Sequence, residues 1–298
     1  MTRPRRLGQF QVSPIGLGAM PFSMGGNVQP SQEQAIQTVH AALRAGITLI
    51  DTADIYAPAW DQMGHNERLV ALALASYEGD TSHVVVATKG GITRGAGETW
   101  GRDGTLAYLR GAALRSQEAL GVDVIDLYYW HRPDRSIRYA EGVEALAELR
   151  SEGLIREIGL SNANVEELDV AVSILGPGRL AALQNEFSPK FNHTSLPELR
   201  YCQEHEIAFV PWSPLGGTRG GAMSVGDRYP ILTEIAQEHG VSPQQVTLAW
   251  ELGLGQHVIA IPGASRPASI IDSAAAMDVQ LTDQQRTRIS ESLLSLDA

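Results

Sequence analysis

The sequence predicts a single (β/α)8 TIM barrel domain over residues 1–298, and three observations carry that prediction. Short apolar runs alternate with helical patterns along the whole chain, which is the signature of a parallel sheet. No Pro/Gly/Ser-rich tract divides the series, so one domain is expected rather than two. Polar residues recur at the ends of the apolar runs, and a barrel gathers its chemistry at the C-terminal ends of its strands. A doubly wound sheet fits less well, because no G-x-G-x-x-G follows any strand; Gly16-Leu17-Gly18 breaks off at Pro21.

In chain order, a short strand-like opening around Phe10-Gln11-Val12 precedes a first buried strand at Ile15–Met20, whose glycines imply close backbone approach. Ser31-Gln32-Glu33-Gln34 reads as a capping box that opens a helix with Ala35, Val39, Ala42 and Leu43 on one face. Gly46 closes it, and Ile47-Thr48-Leu49-Ile50 follows as a buried strand running into Asp51. Helix Glu67–Ser76 then precedes strand His83–Lys89, helix Thr105–Ala119 precedes strand Val124–His131, and helix Tyr139–Ser151 precedes strand Ile155–Asn162. Helix Val165–Leu175 leads to strand Leu180–Gln184, and helix Ser195–Glu204 to strand Ile207–Trp212. A longer helical region, Ile231–Glu251, is broken near Gly240 and Pro243. Strand His257–Pro262, helix Pro267–Ala276 and a C-terminal surface helix over Thr282–Leu296 complete the chain.

Composition narrows the function. The net charge of −11 argues against a nucleic-acid or anionic-membrane surface. Any anionic ligand then needs a local basic spot or backbone N–H groups. One cysteine, Cys202, excludes an internal disulfide framework and a Cys-based metal cluster, and the histidines lack H-E-x-x-H spacing, so no metal is expected. Neither a signal-peptide h-region nor a membrane-length apolar run is visible, and a cytoplasmic enzyme is the expectation.

The predicted strand ends read Asp51, Lys89, His131, Asn162, Gln184, Trp212-Ser213 and Pro262-Gly263. Singly, Asp51 reads as a cap for the next loop, Lys89 as a surface lysine, His131 as a satisfied strand-end histidine and Tyr56 as a rim aromatic. Together they read as chemistry. Lys89 and Lys190 are the only lysines in a chain that otherwise uses arginine. An ammonium at a buried strand end needs an anion, and Asp51 on the adjacent strand is the candidate. Tyr56, just past Asp51, is placed to share its proton with Lys89 or His131, and a phenol of lowered pKa serves as a general acid near neutral pH.

These motifs resemble the aldo-keto reductase family over nearly the full chain. The resemblance rests on Asp51-Thr52-Ala53-Asp54-Ile55-Tyr56, Ala87-Thr88-Lys89, Ile125-Asp126-Leu127-Tyr128 leading to His131, Ile158-Gly159-Leu160-Ser161-Asn162, Gln184-Asn185-Glu186, Trp212-Ser213-Pro214-Leu215 and Ile261-Pro262-Gly263-Ala264-Ser265. It implies a catalytic tetrad of Asp51, Tyr56, Lys89 and His131, with hydride passing from nicotinamide to a carbonyl carbon. Tyr56 would protonate the oxygen, Lys89 paired with Asp51 would lower the Tyr56 pKa, and His131 would orient the carbonyl. It further implies that Ser161, Asn162 and Gln184 hold the nicotinamide carboxamide and that Trp212 stacks on its ring. Ser213, Leu215 and Gly217 would line the pyrophosphate, with Met20, Asp51, Pro262, Gly263 and Ser265 completing the cofactor site. Arg266 would contact the 2′-phosphate, which favours NADP(H) over NAD(H), although Ser269 and Ser273 stand where the family commonly has Gln and Asn.

The stretches Ala57–Asn66 and Gly90–Trp100 read as loops after catalytic strands, so Trp60 and Trp100, with Phe22 and Met20 from the first loop, are candidate walls of a substrate pocket. The short tail predicts an open site for a small carbonyl compound, in a monomer or weak homo-oligomer. Two other readings stay in view: a Schiff-base aldolase with Lys89 as nucleophile, and a cofactor-binding regulatory module like the potassium-channel β subunits. The intact tetrad and the nicotinamide set favour the reductase.

Overall fold

Apolar runs flanked by helices can bury both faces only by pairing in parallel, and that is how this chain pairs. A computed structural model describes residues 3–25, 29–193, 195–217 and 220–295. It opens with an antiparallel hairpin of β1 (Arg5–Leu7) and β2 (Phe10–Val12). The barrel strands are β3 (Leu17–Gly18), β4 (Leu49–Asp51) and β5 (Val85–Gly90). A second hairpin, β6 (Ile92–Gly95) with β7 (Thr99–Arg102), follows directly. Then come β8 (Ile125–Trp130), β9 (Ile155–Ser161), β10 (Leu180–Gln184) and β11 (Ala208–Phe209). The parallel order is β11-β10-β9-β8-β5-β4-β3.

The run His257–Pro262 closes the barrel by bonding to both edges. Phe209 N–H donates to His257 O (2.8 Å) on one side, and Gly16 and Gly18 N–H donate to Ala260 O (2.8 Å) and Pro262 O (3.0 Å) on the other. A side chain at Gly18 would meet the Ile261 carbonyl at 2.8 Å, so the seam requires a glycine there.

The helices are α1 (Gln32–Arg44), α2 (His65–Ala75), α3 (Leu106–Leu120), α4 (Tyr139–Ser151), α5 (Val165–Leu175), α6 (Leu196–Glu204), α7 (Gly221–Arg228), α8 (Pro230–His239), α9 (Pro243–Leu252), α10 (Pro267–Ala275) and α11 (Asp283–Ser295). Leu296 of the predicted last helix lies outside the described residues. The Ser31 side chain caps α1 by accepting from Gln34 N–H (3.2 Å). The Gln34 side chain does not reach back, however; it donates to Ser265 O (2.7 Å), so the capping box is only half made. Helix α7 is unexpected, because glycines at both ends of Gly221-Ala-Met-Ser-Val-Gly226 mask its helical pattern. No helix among the described residues is long and apolar enough to cross a membrane.

Strand period does the positioning. Val85, Ala87 and Lys89 share one face of β5, and Leu127, Tyr129 and His131 share one face of β8 and its continuation. The register pairs Asp51 with Ala87, Lys89 with Tyr129, and Tyr129 with Gly159. Leu7 and Val12 of the first hairpin join Leu49, Val85, Leu127 and Ile259 in one buried cluster, so apolar residues occupy the barrel's lower interior and polar ones its mouth. A Cβ on Gly159 would lie 2.3 Å from the Tyr129 ring. Gly159→Ala is therefore expected to overpack the interior and lower stability by about 1–3 kcal/mol, measured as a fall in the urea midpoint at unchanged m-value.

Candidate active site

Lys89 lies inside the barrel mouth with 0% of its surface exposed. Its Nζ donates to Asp51 Oδ1 (2.5 Å) and to Thr52 O (2.8 Å). Gln184 Nε2, from β10, donates to the other Asp51 oxygen at 2.8 Å. The carboxylate is thus saturated from two sides, which a buried charge requires. Gln184, expected to face a nicotinamide, has its amide nitrogen on Asp51. Burial alone would lower the Lys89 pKa, but Asp51 and Tyr56 outweigh it and the ammonium is held above its usual value.

Tyr56 follows from the loop after β4, its ring centroid 5.3 Å from Lys89 Nζ and edge-on to His131 at 5.8 Å between centroids. Burial pushes the phenol above its ordinary value, and Lys89 pulls it back only in part. The net direction differs from the expected lowering: desolvation in this dry pocket exceeds the ammonium's attraction. His131 is pushed well below 6.5, first by burial and then by Lys89 and Arg132, so its imidazole is neutral at pH 7. Its Nδ1 is buried without a partner.

The next strand ends pack beside these four. Asn162 takes a left-handed conformation (φ 61°), one asparagine tolerates. Its amide donates to His131 O (3.1 Å) and Ser161 Oγ (2.9 Å). Asn185 fixes the following turn by donating to Ala163 O (2.8 Å) and accepting from Ala163 N–H (3.2 Å). Trp212 keeps a buried, unpartnered Nε1 and lines a cavity of about 320 Å³ with Arg132, Asn162 and Glu186. Ser213 (φ 54°), Gly216 (φ 87°) and Gly217 (φ 89°) curl the next loop, and Leu215 is buried beneath it. A run of left-handed backbone positions of this kind suits an anion.

Sequence reasoning missed the residues that hold this frame. Asn66 accepts from Thr52 Oγ1 (2.6 Å) and donates to Ala19 O (2.9 Å) and Ser23 Oγ (2.8 Å), tying the first loop to the end of β4. The stretch expected as a loop after Lys89 is the β6–β7 hairpin, which turns through Gly97 (φ 72°) and Glu98 (φ 59°). Its alternating Ile92-Thr93-Arg94 and Thr99-Trp100 were the available signal. Arg94 donates to Ile55 O (3.0 Å) and Ala57 O (2.9 Å), and Glu98 accepts from Trp60 N–H (2.9 Å), so hairpin and Tyr56 loop form one rim.

The other expected residues are spread more widely. Trp60 and Trp100 stand on that rim, 40% and 50% exposed, with Arg94 4.6 Å over the Trp100 ring. Met20 packs beside Ile55 and Tyr56. Phe22 is 1% exposed in the core cluster that contains Ala35 and Val39, so its ring is core rather than pocket wall. Pro262 and Gly263 lie at the barrel seam beside Gly18. Ser265 is tied to Gln34, and exposed Arg266 precedes α10 with its Nε on Ser269 Oγ (2.9 Å).

Residues 14–293 match the model of the aldo/keto reductase family. A 6-dehydroglucose reductase of Novosphingobium aromaticivorans is 32% identical over 94% of this chain and 92% of its own. Among solved structures, the glycerol dehydrogenase of Gluconobacter oxydans superposes with a TM-score of 0.83 at 26% identity, covering 99% of this chain and 95% of that one. An aldo-keto reductase of Klebsiella pneumoniae in complex with NADPH superposes at 0.79 with 27% identity, over 98% and 95% of the two chains.

The neutral His131 gives a pH signature. Its folded pKa is below its unfolded value, so the unfolded chain binds the extra proton first and folding weakens as pH falls below about 6.5. His131→Asn should show a shallower loss of stability between pH 7 and 5 than the wild type, read from urea midpoints.

Proposed function

This chain belongs to the aldo/keto reductase family, and on that premise we propose that it reduces a small aldehyde or ketone to an alcohol with NADPH, Tyr56 acting as the general acid. The observation that carries the reading is the buried Asp51–Lys89 pair beneath the Tyr56 ring, with a neutral imidazole edge-on to it.

The residues present fit a dinucleotide. The unpartnered Trp212 Nε1 and His131 Nδ1 mark a mouth whose polar groups are not self-satisfied, and the loop after Trp212 carries three left-handed positions, a backbone shape that suits an anion. In this reading Ser161, Asn162 and Trp212 hold the nicotinamide end. Ser213, Leu215 and Gly217 follow the pyrophosphate, and Arg266 recognises the 2′-phosphate, with Met20, Pro262, Gly263 and Ser265 alongside. When bound, the reduced nicotinamide supplies the hydride.

This chain's side chains supply the proton and the orientation. His131, neutral, donates a hydrogen bond to the carbonyl oxygen without competing for the proton. Tyr56 passes its phenolic proton to that oxygen as negative charge develops. The phenolate left behind faces Lys89, whose charge is retained because Asp51 and Gln184 hold the ion pair in place. That same raised Lys89 pKa works against a Schiff-base aldolase, which needs a neutral amine. The NADPH complex of the Klebsiella relative supports the choice of cofactor.

The test is oxidation of NADPH in the presence of a reactive aromatic aldehyde. Tyr56→Phe is expected to lower kcat by about 10²–10⁴-fold while NADPH still quenches the protein's tryptophan fluorescence. Turnover that survives in Tyr56→Phe refutes the assignment of the acid. Arg266→Ala should weaken NADPH binding by about ten- to a hundredfold, in line with ~1.5–3 kcal/mol for a charged hydrogen bond, and leave NADH binding nearly unchanged.

A further inference from the structure

The chain's arginines at the barrel mouth divide into two kinds. Arg94 is paired with Glu98, and Arg135 with Glu167. Arg102 and Arg132 have no such partner: among the described residues no carboxylate lies within 4.0 Å of either guanidinium. They are nonetheless neighbours. Arg102 Nη1 donates to the carbonyl of Pro133 (3.2 Å), the residue that follows Arg132. Arg132 is half-buried, lies 6.0 Å from the centre of the Trp212 ring, and lines the 320 Å³ cavity that Trp212 and Asn162 also line.

Two like charges side by side, one of them partly dehydrated, are unfavourable unless something anionic joins them. The chain as a whole is acidic, at −11, so this is a local exception rather than a basic surface. Glu167, Glu186 and Glu198 share the cavity; Glu167 is taken by Arg135, while Glu186 offsets part of the Arg132 charge and Asp134 part of the Arg102 charge, neither closing an ion pair with it. Arg132 directly follows His131, and its charge is felt at both His131 and Tyr56. It lines the cavity beside Trp212 and Asn162, the residues read as holding the nicotinamide, and so stands next to the reacting carbonyl. The residues read as holding cofactor phosphates lie elsewhere, after Trp212 and after Pro262.

We propose that Arg132 and Arg102 form an anion subsite for the substrate, so that the carbonyl compound reduced here carries a carboxylate or a phosphate monoester away from its reacting carbon. The proposal rests on the reductase reading above. A guanidinium suits either group, because its forked N–H donors match paired anionic oxygens. Arg132, backed by Trp212, makes the contact. Arg102, on the exposed strand β7, adds charge from the rim.

The experiment compares kcat/KM with NADPH for 4-carboxybenzaldehyde, 4-formylphenyl phosphate and the neutral methyl 4-formylbenzoate, in the wild type, Arg132→Gln and Arg102→Gln. Ratios are taken within each protein, so a general loss of activity cancels. The wild type should favour at least one anion over the ester by tenfold or more, and the favoured anion identifies the group. That ratio should fall at least tenfold in Arg132→Gln, mainly through KM, and less in Arg102→Gln. Added salt should erode it in the wild type. A wild-type ratio near one, or a ratio preserved in both variants, overturns the subsite. If NADPH binds but none of the three compounds turns over, the reductase reading fails instead. Calorimetric titration with terephthalate and phenyl phosphate then decides the subsite: binding that Arg132→Gln or Arg102→Gln weakens tenfold supports it, and absent or unaltered binding refutes it.

Discussion

Everything at the mouth of this barrel depends on an ammonium and a carboxylate that have been taken out of water together. Removing charges from water costs several kcal/mol per ion, and losing one partner of such a buried pair costs about 3–5 kcal/mol. The cost is tolerated because the pair is fully bonded: Lys89 reaches Asp51 and the Thr52 carbonyl, and Gln184 crosses from another strand to the second Asp51 oxygen. Those bonds join β4, β5 and β10. The pair therefore links the site's charge to the barrel's closure, and Tyr56 and His131 acquire their environment from it.

The same dryness acts differently on each neighbour. It raises the phenol of Tyr56 and depresses the imidazole of His131, so both are neutral at pH 7 while the lysine beside them is charged. One donor that can lose a proton and one that holds its own, set beside a fixed positive charge, are suited to stabilising charge on an oxygen. A second tier keeps them there. Asn66 and Asn185 use side-chain amides to hold loop backbone, while Arg94 and Glu98 bind the β6–β7 hairpin to the Tyr56 loop. The rim is held by hydrogen bonds to backbone together with the packing of Ile92 from the hairpin on Ile55 and Tyr56.

Much of this was legible. Apolar runs alternating with helical patterns placed the eight strands, and the two-residue period of a strand turned Lys89 and His131 inward once their strands were recognised. The half-made capping box, the β6–β7 hairpin and helix α7 were not legible in the same way. Gln34 finds a carbonyl on a loop more than two hundred residues later. The hairpin depends on two adjacent positive-φ positions, Gly97 and Glu98, and glutamate is a residue type that does not announce a turn. Phe22 sits in the first loop but faces the core, a choice of side that sequence position does not encode.

By itself, the sequence determined the parallel architecture and which residue types stand at the strand ends, because hydrophobic period and polarity are local properties that each strand carries alone. Only the tertiary structure decided which of those residues meet. Gln184 turned to Asp51, burial outweighed Lys89 at Tyr56, and Arg102 came alongside Arg132 with neither ion-paired to a carboxylate among the described residues. Each of these is a balance of distance and dehydration between groups far apart in the chain, and neither quantity exists until the barrel has closed.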